Sequence, residues 1–472
     1  MALVQLNDIQ REIVNHEFHG HALVLGPTGT GKTTTAVYRA ARLQSRNPSH
    51  RVLLLTFNRS LLAYLDSMYA HVLTDVKPMT YHQFATSYLD ERGQAVRHSG
   101  VLQGSKQDIL IQDVIQRARD TLGNLPLLDR SVEAFKREFA WIAGNGITSP
   151  DEYEKRACKV GSTLRISPRE RALVFQVYQE YLQVRKEMGY LYDWNDIAIG
   201  FLEELARDID QRQYTHIIVD EGQDFSPVML RSLAEAIPSY GSLTIFADAA
   251  QQIYDSKTKM SWRNAGLAVE RVWMLRTNYR HTWGIARLTR AMAVMSPFAG
   301  ITDLVLPKEP EGEEGRRPIV VQCQNPAHQL EVALELAARA SQKYSVAVLF
   351  RTGEEAEAAL AELRKLGCQA EKLDRDVESW FPEPTAWVGT FHAAKGLEFD
   401  VVIIPHCDAD VMPDPEETRT WDDQAEAEAR EARILLAGVS SARSDVVFLH
   451  SSQLTSFLPA DADMYQVVDK TG

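Results

Sequence analysis

Short apolar runs alternate with stretches of helical spacing over about the first 85 residues. Ala22–Leu25 and Arg51–Thr56 read as buried strands, and Thr33–Leu43 as the helix between them. From about residue 86 to 205 the strand signal fades, and long helical patterns take over at Lys106–Leu122, Ser131–Ala143 and Pro168–Met188. Strand grammar returns at His216–Val219 and Leu243–Ala247, so the first α/β unit resumes after a helical insertion. The proline- and charge-rich stretch Pro307–Pro318 reads as a loop or linker. Beyond it Ile319–Gln322, Ser345–Phe350, Val401–Pro405 and Val446–Leu449 are further candidate strands. Glu354–Leu366 is a helix that Gly367 closes. The expected fold class is α/β, with two parallel-sheet domains and an all-helical insertion in the first. Expected boundaries are residues 1–85 and 206–275 for the first domain, 86–205 for the insertion and 276–472 for the second.

Composition changes this picture little. A chain of 472 residues with 45% hydrophobic and 24% charged positions is ordinary for a globular protein of several domains. No apolar run approaches the roughly 20 residues of a membrane helix, and the N-terminus lacks a signal pattern, so a cytoplasmic protein without a membrane partner is expected. The cysteines Cys158, Cys323, Cys368 and Cys407 lie far apart, against a disulfide framework or zinc site and in keeping with a reducing compartment. The formal net charge of −13 does constrain function: any nucleic-acid contact must be a local groove in an acidic protein. Much of that acidity sits in Asp408–Glu431, which reads as a solvated loop and helix face rather than a partner-docking tail.

The chemistry begins at Gly26-Pro27-Thr28-Gly29-Thr30-Gly31-Lys32-Thr33, followed by Thr34. An apolar strand precedes this glycine-rich turn and a helix follows it, so its backbone N–H groups can wrap phosphates at the helix N-terminus. Lys32 would reach the outer phosphates and the Thr33 hydroxyl would ligate magnesium. Ile217-Ile218-Val219-Asp220-Glu221 is an apolar strand ending in two carboxylates. Opposite a phosphate loop, Asp220 would hold the metal and Glu221 would polarise an attacking water. ATP and Mg2+ are the expected cofactors.

Other motifs follow in an order that points to a family. Asp220-Glu221-Gly222-Gln223-Asp224 resembles the second motif of the UvrD/Rep-like superfamily 1 helicases. Leu6-Asn7-Asp8-Ile9-Gln10 resembles their glutamine motif, which implies that Gln10 reads an adenine edge. Thr56-Phe57-Asn58 and Thr80-Tyr81-His82-Gln83-Phe84 resemble strand-contacting motifs, and Tyr192-Asp193-Trp194-Asn195-Asp196 the segment leading back from the insertion. Asp248–Tyr254 resembles the third motif, with Gln251 as the sensor between nucleotide and nucleic acid, and Trp262 is a candidate for base stacking. Asn278-Tyr279-Arg280 resembles the fourth, implying that Tyr279 stacks on adenine and Arg280 pairs with the γ-phosphate. Gly389–Phe399 resembles the fifth, with Thr390 and His392 toward the strand and Glu398 toward the ribose. Taken singly, these aromatics and histidines read as core residues; their order and spacing reverse that reading.

The resemblance implies two RecA-like domains with ATP in the cleft between them. It further implies 3′→5′ movement along single-stranded DNA, in repair or genome defence, with a partner nuclease or repair protein as a candidate associate. RNA remains an open alternative, since no motif offers a clear 2′-OH reader.

Two departures stand out. Where the family's last motif carries Thr-Arg-Ala, this chain has Ser440-Ser441-Ala442, and Arg443 lies about 200° further round a continued helix. An arginine on the transferring phosphoryl can be worth ~10³–10⁵ in rate, so the Ser441 position leads to an expectation of slow or partner-dependent hydrolysis with Arg280 alone. The second reading is therefore a nucleotide-gated binding module. Only about 110 residues separate Arg280 from Gly389, so the second accessory domain is expected to be absent or reduced and unwinding to be weak. With so short a stretch after the last motif, no appended nuclease is expected.

Overall fold

In the computed structural model, residues 5–94, 96, 100–160, 164–208, 212–253, 265–301, 303–309, 315–374, 377, 380 and 384–471 are described. Trp262 lies outside them. The first sheet is built from β1 (Gly20–Leu25), β2 (Val52–Thr56), β3 (Met79–Thr80), β6 (His216–Val219), β7 (Ser242–Ala247) and β8 (Val269–Met274), in the order β3-β2-β6-β7-β1-β8. Every pairing in it is parallel. Parallel strands need long crossovers, and helices such as Lys32–Arg46 and Arg59–Tyr69 supply them.

Strand alternation explains how two apolar faces arise from near-continuous hydrophobic runs. Ala22, Val24, Leu54, Ile218 and Phe246 pack against the helix Lys32–Arg46 on one face. Leu23, Leu25, Leu53, Leu55, Ile217, Val219 and Ile245 join a second core on the other. The second sheet repeats the scheme. It holds β9 (Ile319–Gln322), β10 (Val346–Phe350), β11 (Ala370–Leu373), β12 (Ala386–Thr390), β13 (Phe399–Ile404), β14 (Ala442–His450) and β15 (Gln466–Asp469), in the order β11-β12-β10-β13-β14-β9-β15. Its two faces separate Val346, Val348 and Ile403 from Ala347, Leu349 and Val402. The second of these cores also takes in Leu61, Tyr64, Ala250 and Ile253, so the two α/β units share buried apolar surface.

Between β3 and β6 a helical block has its own core, which includes Leu110, Val114, Phe135, Trp141, Tyr153, Phe175 and Tyr181. It is not purely helical. β4 (Val101–Leu102) and β5 (Tyr192–Asp193) pair in parallel where the chain enters and leaves the block. The strands β8, β11 and β15 escape the hydrophobic-run reading because several of their residues are exposed or polar, as in Val269-Glu270-Arg271 and Gln466. β12 escapes it although residues 386–389 are buried.

Candidate functional site

The carboxyl ends of β6, β7 and β1, neighbours in the first sheet, deliver Asp220, Asp248 and the Gly26–Thr33 loop to one edge. Gly29 and Gly31 have φ of +81° and +77°, a region that side chains disfavour. A Cβ on Gly31 would also stand 2.6 Å from Gln10 Nε2, so the loop lies tightly against the N-terminal helix Asp8–Asn15. Gln10 is buried. Its Nε2–H donates to the Thr30 carbonyl at 3.1 Å, and its Oε1 accepts from the Asn7 backbone N–H at 3.0 Å. The amide thus ties the N-terminal helix to the loop, and its reading of an adenine edge stays an implication of the resemblance.

Lys32 Nζ donates to the Pro27 carbonyl at 3.1 Å and stands 3.8 Å from Asp248. Thr28 Oγ1 donates to the same Asp248 carboxylate at 3.2 Å. Asp248 therefore anchors the loop, a role not foreseen although it opens the third motif. Asp220 is almost fully buried, and both of its carboxylate oxygens lack a hydrogen-bond partner. Burial and neighbouring Glu221 raise its pKa, while Thr33 and Lys32 oppose the rise. An orphaned carboxylate beside a threonine hydroxyl suits a hard divalent cation, which takes oxygen ligands. Glu221 sits at φ +56°, a costly backbone for a non-glycine residue. Gln223 holds it there: its amide N–H donates to Glu221 Oε2, and its Oε1 accepts from the Asp248 backbone N–H at 3.0 Å.

The opposite wall comes from the loop before the helix Trp283–Ala293 and from the amino ends of β13 and β14. Arg280 pairs with Glu398 at 2.5 Å, and Arg443 donates to the other oxygen of the same carboxylate at 2.8 Å. Burial alone would raise the Glu398 carboxyl, yet Arg280 and Arg443 hold it below its usual range. The helix Gln424–Val439 ends before Ser440, so Arg443 projects from β14 and lines the cavity. The separation expected along a continued helix does not apply. Ser441 itself is buried, and its hydroxyl donates to the carbonyls of Ala437 and Ala394.

Three contacts tie the walls together. Gln251 Nε2 donates to Thr28 Oγ1 and, at 2.6 Å, to Ser440 Oγ. Lys395 Nζ donates to both oxygens of Asp224 at 2.6 and 2.7 Å, and at 2.5 Å to the Gln251 carbonyl. His281 faces the loop while its Nε2 bonds the Ser440 carbonyl at 3.0 Å. Neither Asp224 nor Lys395 was foreseen as a site residue, although both lie inside quoted motifs. Between the walls is a cavity of about 340 Å³ lined by Thr28, Gly29, Gly31, Lys32, Thr33, Thr34, Glu221, Gln251, Tyr279, Arg280, Glu398 and Arg443, among others. Tyr279 is 56% exposed, free to offer its ring face, and its hydroxyl accepts from Asn7 Nδ2 at 2.6 Å. Thr30 Oγ1 donates to the Pro27 carbonyl at 2.8 Å, and a Cβ on Gly26 would stand 2.6 Å from the Leu275 carbonyl oxygen.

The residues expected to touch a strand divide into two groups. Thr390 and Glu398 stand at opposite ends of the second sheet, so Thr390 and His392 lie away from the cavity wall. Phe57 and His82 are half-buried with rings 6.5 Å apart, and exposed Trp194 packs 5.0 Å from His82. Trp194 was quoted only as part of a connecting segment; its exposure and ring neighbours mark it now. Tyr81 is fully buried with its hydroxyl against Ser232 Oγ at 2.7 Å, and Thr56 is fully buried at the end of β2. Both side chains belong to the packing below the face rather than to its surface. Asn58 caps the helix Arg59–Tyr69 by accepting from the Leu61 N–H at 2.7 Å, and Thr390 caps Phe391–Ala394 in the same way.

Comparison with known proteins agrees with this architecture. A sequence model of the UvrD/REP helicase N-terminal domain matches residues 6–268. The chain is 27% identical over 270 residues to the ATP-dependent DNA helicase UvrD2 of Mycobacterium tuberculosis, covering 53% of this chain and 37% of that protein. A Mycoplasma pneumoniae protein named as a DNA helicase II homologue is 26% identical over 285 residues, covering 55% of this chain and 36% of its own length. The chain thus spans little more than a third of the curated relatives it matches. With the family model covering more than half of its residues, the chain belongs to the UvrD/Rep helicase family.

Proposed function

We propose that this protein is an ATP hydrolase that translocates on single-stranded DNA, in the 3′→5′ sense that the family resemblance implies. The observation that carries this reading is the convergence of Lys32, Arg280 and Arg443 on one cavity, above a buried Asp220 with unpartnered oxygens. Thr33 and Asp220 would hold Mg2+, which when bound offsets charge on the phosphates. Glu221 polarises the attacking water, and Lys32, Arg280 and Arg443 stabilise charge on the transferring group. A triphosphate competes with Glu398 for both guanidinium groups, so its arrival draws the walls together and its hydrolysis lets them part. Gln251, bonded to Thr28 on one side and Ser440 on the other, senses that movement. The bases would stack on aromatics such as Trp194 and Phe57, a grip worth about 1–3 kcal/mol per base. In this reading residues 1–85 and 206–275, 86–205 and 276–472 are the moving units. A role in repair or genome defence follows from the resemblance.

The competing reading, a nucleotide-gated binding module with slow turnover, was motivated by Ser441. Arg443 in the cavity weakens that motive. Steady-state ATPase with and without single-stranded DNA separates the two. Strong stimulation is expected, with Lys32→Ala inactive. Arg443→Ala should lower kcat by ~10-fold or more, while Ser441→Arg changes it by less than ~3-fold. Slow, DNA-independent turnover that Ser441→Arg rescues would establish the module instead.

A further inference from the structure

Part of the acidic stretch, from Glu417 to Asp423, is docked on the helical block, while Asp410, Glu416 and Glu428 are exposed as expected. Asp422 pairs with Arg130 through Oδ1 and accepts from the Arg165 backbone N–H at 2.7 Å through Oδ2. Asp423 accepts from Arg165 Nη2 at 2.7 Å. Buried Arg137 donates to the Thr420 carbonyl at 2.6 Å, stands 3.6 Å from Glu417 and lies 4.7 Å over the Trp421 ring. Trp421 is buried in turn, with Arg430 stacked 5.9 Å away and its Nε1 donating to Glu417 at 3.2 Å. Cations of one unit and carboxylates of another, more than 250 positions later, thus meet around an aromatic anchor.

The same stretch runs directly into the helix Gln424–Val439, whose N-cap is Asp423. Sixteen residues carry that helix about 24 Å. Along it Arg433 donates to the Gln252 carbonyl at 2.9 Å, and just past its end Ser440 accepts from Gln251. One rigid rod therefore has the arginines of the helical block at one end and the Gln251 contact of the cavity at the other.

We infer that residues 414–423 form an acidic strap tying the helical block to the second α/β unit, and that the rod Gln424–Val439 couples its closure to nucleotide occupancy. The tie itself is independent of the proposed activity; the coupling rests on that reading. Because most of its ion pairs are partly solvated, the strap loosens with salt. An exchange of ligands at Gln251 shifts the rod and biases the strap between two states.

Amide hydrogen exchange on the full chain tests both parts. Raising salt from 0.05 M to 0.5 M should speed exchange in 414–423 about threefold or more. Asp422→Arg with Asp423→Arg should produce the fast rate at low salt, and adding Arg130→Asp with Arg165→Asp should restore protection. Unchanged exchange in the first variant, or no restoration in the second, overturns the tie. A non-hydrolysable ATP analogue with Mg2+ should protect 26–34 and change exchange in 414–423, with neither effect in Lys32→Ala. Protection of 26–34 with 414–423 unmoved overturns the coupling and leaves nucleotide binding standing. No protection of 26–34 counts against the ATP reading itself, and the tie is then judged by the charge swaps alone.

Discussion

Asp224 with Lys395 and Asp423 with Arg165 are both carboxylate–cation contacts of 2.6–2.7 Å between distant parts of the chain. Their surroundings differ completely. The first pair is sealed, with side chains 1% and 2% exposed, whereas Arg165 is 67% and Asp423 25% exposed. Distance is therefore a poor guide to what each contributes. In the sealed pair an unmatched charge has nowhere to go, so losing one partner is severe even where the pair itself is near break-even. In the wet pair, water and salt replace either partner, and one contact is worth about 0–1 kcal/mol. The cleft is thus pinned by a bond shielded from salt, and the helical block by bonds that respond to it.

That contrast can be broken most forcefully at Lys395. Lys395→Ala should cost about 3–5 kcal/mol, read as a fall in denaturant midpoint, while Lys395→Met with Asp224→Leu should recover most of the loss. If Lys395→Ala unfolds like the wild type, burial is not what distinguishes the two bridges. Acid offers a middle-sized test. His281 donates from Nε2 to Ser440, and its Nδ1 faces the Asn278 amide at 3.2 Å, an arrangement that suits the neutral ring. Burial and adjacent Arg280 push its pKa down to about 3. Since the folded value lies below the unfolded one, the ring costs nothing above about pH 6.5. Stability is then lost progressively as pH falls from there toward 3, and His281→Gln should flatten that limb of the curve. An identical acid limb in the variant would show the ring to be solvated. The smallest effect is expected at the strap, where Arg165→Ala should cost less than about 1 kcal/mol at low salt and nothing measurable in 0.5 M salt. A larger, salt-independent loss would place Arg165 with the sealed class.

Much of the candidate site was legible in the chain because it is built from local chemistry. A glycine-rich turn between a strand and a helix can only fold in a few ways, and Gly29 and Gly31 adopt the left-handed backbone that their spacing invites. Apolar runs such as Leu53–Leu55 and Ile217–Val219 announced buried parallel strands, since both faces of such a sheet are covered. The edge strands β8 and β15 were not legible, because one-sided burial leaves polar residues in their pattern. Burial also separated motif letters from motif roles: Tyr81 and Thr56 match in sequence but point into packed interior.

By itself, then, the order of residues determined the glycine-rich loop between strand and helix, the carboxylate strand end, the α/β class and the family. Only the folded chain decided that a helix stops before Ser440 and turns Arg443 into the cavity, that Gln10 backs the loop, and that an acidic run finds three arginines more than 250 residues away. The reason is physical. Local periodicity and turn chemistry act between near neighbours and leave a trace in sequence spacing, whereas burial and ion pairing depend on which distant surfaces meet, and no spacing records that.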